Sequence, residues 1–389
     1  MVLAMDLPQP AKLTRPTEDL AKDFLLVDVD RCEEPGWRFK IMVRRDSRLG
    51  PQGKTPPTPK EPTQTLALFH RDDPPSDIEV CGHYLQREVD PADWLDLWTE
   101  NVGLRVVSRR VVSGIGGADG DVVATWDTPE GPFAGRLTAM KWGRRLYLIA
   151  LRTPLDAYAR VADDFFVALA GFEPLQPDLD GLFAEEVNAF GGDHPVPWRV
   201  PVTASWLVSP DAIDERLVSY QATQMDQPPE NRVEGQASFG KLAFGVARRS
   251  LFPTALACAD TFLAELKANQ VTIEREDFDP EPAAREPFDT SWLLVSKATL
   301  DKPPFRSFPC EVRCRVMRHE RLWLVSGVFG PSRESGARAW MQNKRTLDVL
   351  AHHIEVNVRG GLPRAAMAGG VVLGAAGCGA QRSNHGAVS

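Results

Sequence analysis

Trp142 to Phe172 reads WGRRLYLIALRTPLDAYARVADDFFVALAGF, and Arg318 to Ile354 reads RHERLWLVSGVFGPSRESGARAWMQNKRTLDVLAHHI. In the first stretch Gly143-Arg144-Arg145 turns the chain into the apolar run Leu146-Tyr147-Leu148-Ile149-Ala150. Thr153-Pro154 then opens a helix on which Tyr158, Val161, Phe165, Leu169 and Phe172 recur near helical spacing. In the second, His319-Glu320-Arg321 leads into Leu322-Trp323-Leu324-Val325, and Pro331-Ser332 precedes a helix carrying Trp340, Leu347, Leu350 and Ile354. A strand-then-helix ending that occurs twice predicts two α+β domains of the same build.

Working outward, Leu25–Asp30 and Trp37–Arg44 read as strands. In the latter Trp37, Phe39, Ile41 and Val43 alternate with Arg38, Lys40, Met42 and Arg44, the period of two expected of one buried face. Gly50–Pro62, with Pro51, Pro56, Pro57, Pro59 and Pro62, reads as a loop. Strands follow at Thr65–His70 and Ile78–Leu85. Asp90-Pro91 starts a helix, because Asp accepts hydrogen bonds from first-turn amides and Pro loses nothing at the first helical position. That helix carries Trp94, Leu97 and Trp98 on one face and stops by Gly103. Leu104–Val112, Asp121–Trp126 and Phe133–Met140 are three further strands. The second half repeats the order. Strands at Val202–Val208 and Arg216–Thr223 precede the polar loop Asp226–Asn231, a strand within Gln236–Arg248 and a helix over Pro253–Lys267. Trp292–Ala298, Phe308–Met317 and Leu322–Val328 form the final meander.

The expected organisation is a flexible N-terminal tail over 1–20, a first α+β domain over 21–172 and a linker over 173–197 with a bridging helix at Asp180–Phe190. A second α+β domain over 198–356 and a flexible Gly/Ala-rich tail over 357–389 complete it, so that one chain forms a pseudo-dimer.

The formal charge of −8, from 45 Lys and Arg against 53 Asp and Glu, argues against nucleic acid or an anionic membrane as the main partner. Cys32, Cys81, Cys258, Cys310, Cys314 and Cys378 are scattered through a long chain, unlike a disulfide scaffold. Met1–Pro16 lacks the charged start and apolar run of a secretory signal, which makes the cytoplasm the expected location. Arg364 to Cys378 has the layout of a lipoprotein signal at the wrong end of the chain, and falls short of the roughly 20 residues of a membrane span.

No catalytic, metal or cofactor set is expected. Cys310 and Cys314 share one strand face without a second pair of ligands, and His352-His353 diverge on a helix. Ser238-x-x-Lys241 lacks the companion motifs of penicillin-recognising enzymes. His70-Arg71-Asp72-Asp73 has Asp77 where a kinase loop needs asparagine. Gly114–Gly120 places Asp119 where a dinucleotide fingerprint needs its third glycine, so a hairpin turn is expected. Asp163-Asp164 and Glu185-Glu186 read as solvent faces of helices. His83, Asp121 and His319 are the groups eligible for a site between the domains, and nothing local links them. Ten tryptophans against four tyrosines are a heavy allotment. Trp94, Trp98, Trp142 and Trp323 are the candidates for a partner-binding surface, with core filling as the competing account.

Strands before a helix, an antiparallel meander, and a final apolar strand followed by a closing helix with Phe165 and Leu169, or Leu347 and Leu350, resemble the PsbP-like α/β/α sandwich. The resemblance covers Ala21–Phe172 and Trp198–Val356, while the long Gly50–Pro62 loop and the fused pair depart from the single-domain form. One bacterial branch of that superfamily is the Eag chaperones of type VI secretion, which hold the hydrophobic amino-terminal segments of Rhs and PAAR effectors. The resemblance implies a non-enzymatic cytoplasmic adaptor or chaperone that shields an apolar helix or peptide of a protein partner. Two other functions stay open: a small-molecule binder or enzyme with its site between the domains, and a structural subunit of a secretion assembly.

Overall fold

The computed structural model describes residues 7–357 apart from 14, 31, 52–54, 115–116, 177–181, 225–238, 283–287 and 304. The first half begins with helix α1 (Thr17–Asp23) and strands β1 (Phe24–Val29) and β2 (Phe39–Arg44), which β10 (Glu173–Pro174) completes as a small sheet ordered β1-β2-β10. Its main sheet contains β3 (Arg48–Leu49), β4 (Thr63–Asp72), β5 (Pro75–Tyr84), β6 (Arg105–Gly114), β7 (Gly117–Thr128), β8 (Gly131–Trp142) and β9 (Arg145–Pro154). They lie in the antiparallel order β3-β4-β5-β9-β8-β7-β6. Helix α2 (Pro91–Asn101) joins β5 to β6, and α3 (Tyr158–Ala170) follows β9.

The second half has a small sheet of β11 (Val187–Gly192), β12 (Trp198–Thr203) and β21 (Glu355–Val356), in that order. Its main sheet contains β13 (Trp206–Ile213), β14 (Leu217–Gln224), β15 (Lys241–Arg248), β16 (Val271–Ile273), β18 (Thr290–Leu300), β19 (Phe308–His319) and β20 (Leu322–Pro331). The order is β13-β14-β15-β20-β19-β18-β16, with β17 (Asp279–Glu281) paired to β18. Helix α4 (Ala255–Ala268) joins β15 to β16, and α5 (Arg333–His353) follows β20. The two strand orders match position by position, β17 being the additional strand. The chain is therefore α+β, two antiparallel main sheets each flanked by helices.

The apolar runs of the opening stretches are the central strands. β9 lies between β5 and β8, and β20 between β15 and β19, and each buries side chains on both of its faces. Tyr147, Ile149 and Leu151 point into the core that α3 seals with Tyr158, Val161 and Phe165. Leu146 and Leu148 point the other way, into the core beneath α2. Leu322, Leu324 and Val328 likewise face the α5 side, and Trp323 and Phe329 the α4 side. The core beneath α2 is shared between the halves, because Met341 of α5 and Ala184 of the connector complete it.

Two expectations are corrected. The bridging helix over Asp180–Phe190 does not form: residues 182–185 are bends and Val187–Gly192 is strand β11. Gly191 and Gly192 do not stop a helix; they pair with Arg199 and Trp198, and a Cβ on Gly191 would fall 2.1 Å from the Trp198 carbonyl oxygen. The N-terminal tail expected over 1–20 is in part a strap. Gln9 donates to the Asp121 carbonyl at 3.2 Å and accepts from Ser108 at 3.0 Å, and Arg15 binds Asp163 and Asp164. Residues 358–389 with Cys378, the loop Asp226–Asn231 and Ser238 lie outside the described residues.

Gly120 seats α2 on β7: a Cβ there would lie 2.8 Å from Ala92 Cα and 3.1 Å from Leu95 Cδ2. Gly120→Val is expected to lower stability by about 1–3 kcal/mol in urea denaturation; a midpoint unchanged from the parent protein would mean that α2 is not held this closely.

Candidate functional site

Asp90 caps α2 by accepting from the Ala92 amide at 3.0 Å, with Pro91 at the first helical position. Leu95 and Thr99 of this helix face the sheet and are fully buried. Trp94, Leu97 and Trp98, three and four residues apart, pack against the margin of the same core and stay half-buried. Trp94 and Trp98 stack with ring centroids 6.3 Å apart, and the His83 ring lies 5.0 Å from Trp94. From the second half, α5 brings Arg338, Met341 and Gln342 to the same place. Pro59, Lys60 and Pro62 of the proline-rich loop close a third side, so that loop forms a wall. The result is a cleft of about 380 Å³ between the halves. Its cations are Lys60, Arg87 and Arg338, and among the described residues no carboxylate lines it.

His83 Nδ1 is 2.6 Å from Thr63 Oγ1. Burial, with Arg338 adding to it, pushes the His83 imidazole down to about 4, so a neutral ring faces the indoles. On β7, burial and the neighbouring Asp90 push Asp119 up to about 7.

Beneath the cleft lies a buried ionic clamp. Glu88, 2% exposed, accepts from Lys141 Nζ of β8, from Arg345 Nε of α5 at 2.9 Å and from the Ala184 amide of the connector at 2.7 Å. Glu185 accepts from the Glu88 amide at 2.9 Å, Arg87 at 3.2 Å and the Ser205 amide at 3.0 Å. Burial lowers the Lys141 ammonium from its ordinary value although Glu88 opposes the shift. Lys344 of α5 also reaches Asp93 of α2, and Arg333 reaches Glu100. Glu185 and Asp164 therefore do not occupy the solvent faces expected of them. Asp164 is buried on α3 beside Arg15 and Arg71.

Of the four candidate tryptophans, the structure brings together Trp94 and Trp98 alone. Trp142 packs in the first core, 5.8 Å from Tyr147 and 6.2 Å from Phe172. Trp323 is buried in the second half, its Nε1 donating to the Phe252 carbonyl at 3.0 Å. His83 enters the cleft, whereas Asp121 is held by Arg110, Arg136 and Thr138 and His319 packs against Phe288, both away from it. Cys310 and Cys314 are buried with Cys258 under α4. Among the described residues no group of three or more His, Cys, Asp or Glu is placed to hold a metal. Arg338, Met341 and Gln342 escaped sequence reasoning, since their only local signal is the i, i+3, i+4 spacing that any helix face shows.

No family model matches the sequence, and no curated protein matches it. Solved structures similar to this chain include cyanobacterial PsbP from Synechocystis sp. PCC 6803, with TM-score 0.31 and 9% identity over 39% of this chain and 92% of that one. The Ran-binding protein Mog1p of Saccharomyces cerevisiae has TM-score 0.29 and 9% identity over 44% of this chain and 97% of that one. The type VI secretion immunity protein TplEi from Pseudomonas aeruginosa has TM-score 0.21 and 13% identity over 85% of this chain and 97% of that one. Scores this low transfer neither a family nor an activity, and the α+β fold stands on the strand order itself. No helix among the described residues is long and apolar enough to cross a membrane.

Removing one partner of a buried ion cluster strands the others. Glu88→Ala is expected to lower stability by about 3–5 kcal/mol in chemical denaturation; a loss below about 1 kcal/mol would show that water reaches Lys141 and Arg345. The two shifted groups predict opposing pH effects. Unfolded His83 titrates near 6.5 and the folded group near 4, so its contribution is present above pH 6.5 and is lost as pH falls toward 4. Asp119, near 3.9 when unfolded and about 7 when folded, makes stability fall as pH rises between those values. Thermal melts should therefore show stability climbing more steeply between pH 4 and 6.5 in Asp119→Asn than in the parent, and less steeply in His83→Gln. Parallel profiles would refute both assignments.

Proposed function

We propose that this chain is a non-enzymatic protein-binding module that holds a short segment of a partner in the cleft between its halves. The stacked Trp94–Trp98 pair, half-buried at the joint of the two halves, carries the proposal. Indoles offer a large apolar face with a polar tip, which suits them to protein contacts. Lys60 in a lining that has no carboxylate among the described residues favours an apolar residue flanked by an acidic group on the partner. Its volume, at the lower end of the roughly 300–1,000 Å³ range of ligand pockets, accommodates a few side chains. The expected occupant is an apolar helix or peptide that presents a few such side chains to the cleft.

The specific form of this proposal is a cytoplasmic adaptor or chaperone whose partner is a type VI secretion effector. Such effectors are the first partners to try.

A photo-crosslinking residue at Asn101, at the exposed end of α2 on the cleft lining, tests it in the native cell. One dominant protein adduct from position 101, absent from a control crosslinker at exposed Asp260 of α4, is the expected outcome. Trp94→Ala/Trp98→Ala should reduce that adduct at least about tenfold, as loss of central aromatic anchors does. An adduct of equal yield in the double variant would refute the cleft as the binding site.

A further inference from the structure

The corresponding strand-to-helix segment of the second half also lines a pocket with two indoles, here with Glu276 and Asp277 as well as Arg249 and Arg318 in its lining. In the first half the β5 ladder ends at Tyr84 opposite Arg145, and the segment from there to the cap of α2 lines the cleft. In the second, the β15 ladder ends at Arg248 opposite Leu322, and the segment from Arg249 to the start of α4 lines a pocket of about 460 Å³. Thr254 caps α4 there as Asp90 caps α2. The pocket again has two indoles: Trp292 and Trp323 meet edge to face with centroids 5.8 Å apart. Leu256, 45% exposed, stands at its rim.

Charge separates the walls. Glu276 is met by Lys267 at 2.8 Å, Asp277 lies 4.0 Å from Arg275, and Arg318 is bound to Asp289 at 3.0 Å. Arg249 lies over the Trp323 ring at 5.5 Å and donates from Nη1 to the Glu320 carbonyl at 2.9 Å. It makes no ion pair with a carboxylate among the described residues, so its remaining donors face outward above an apolar floor. We infer that this pocket is a second binding site, taking an apolar residue beside a carboxylate on the same protein partner, so that each half grips one such group. The inference rests on the peptide-binding function proposed for the cleft. Two linked weak contacts then act through effective concentration, and neither pocket needs high affinity alone.

The test uses the full chain labelled with 5-fluorotryptophan, its fluorine resonances assigned by single Trp→Phe variants, and N-acetyl-L-phenylalanine as probe. Shifts are expected at Trp292 and Trp323 as well as at Trp94 and Trp98. At the second pocket Arg249→Gln, an exposed change, should weaken binding about tenfold and leave the remaining spectrum in place. N-acetyl-phenylalaninamide, which lacks the carboxylate, should shift Trp292 and Trp323 far less. Shifts confined to Trp94 and Trp98 would overturn this pocket and uphold the cleft. Shifts confined to Trp292 and Trp323 would do the reverse, and shifts at neither pair would overturn both. An equal response to acid and amide at Trp292 and Trp323 would overturn the role of Arg249.

Discussion

Burying a carboxylate is tolerable only where several donors surround it, and the joint between the two halves is built on that constraint. Glu88 is met by a lysine at the end of β8, an arginine of α5 and a connector amide, while Glu185 of the connector is met by donors from both halves. Each glutamate therefore links three segments. Such a cluster is weak evidence for net stability, because desolvation offsets much of the attraction. What it does impose is position: moving α5 away from α2 would leave charges buried and unpaired. Met341 reinforces the arrangement by completing the apolar core under α2.

The cleft follows from that placement. α2 has one face committed to the sheet through Leu95 and one left over, carrying Trp94, Leu97 and Trp98. On a free first half this second face would be an open apolar patch. With α5 clamped beside it, the patch becomes one wall of a cleft whose opposite wall is Arg338, Met341 and Gln342. The second half has the same strand order, but among the described residues no helix of the first half lines the pocket at the corresponding strand-to-helix segment. Its pocket is closed instead by Phe278, next to the additional strand β17, and by the indoles of Trp292 and Trp323. Shared topology with different closure thus leaves one architecture with two concavities of different lining.

Much of the architecture was legible locally. The runs at Leu146–Ala150 and Leu322–Val325 are apolar at every position because both faces of a central strand are covered, and the structure places them as β9 and β20. The Asp90-Pro91 start and the Trp94, Leu97, Trp98 face were read from capping chemistry and helical spacing. Failures had local causes too. Val187–Phe190 before two glycines fits a helix end as well as a strand, and only pairing with β12 decides between them. Asp164 and Glu185 looked solvated because a carboxylate in an amphipathic segment usually is.

What the sequence by itself determined is therefore the run of strands, helix, meander and closing helix in each half, the central strands, and the helix face that carries the indoles. These rest on periodicities spanning a few residues. Only the tertiary structure decided which tryptophans share a cleft, which glutamates are buried, and that Arg345 meets Glu88 across 257 positions of chain. The physical reason is that a charge is stable in the interior only with its partners in place, and those partners are supplied by segments whose approach no local pattern encodes.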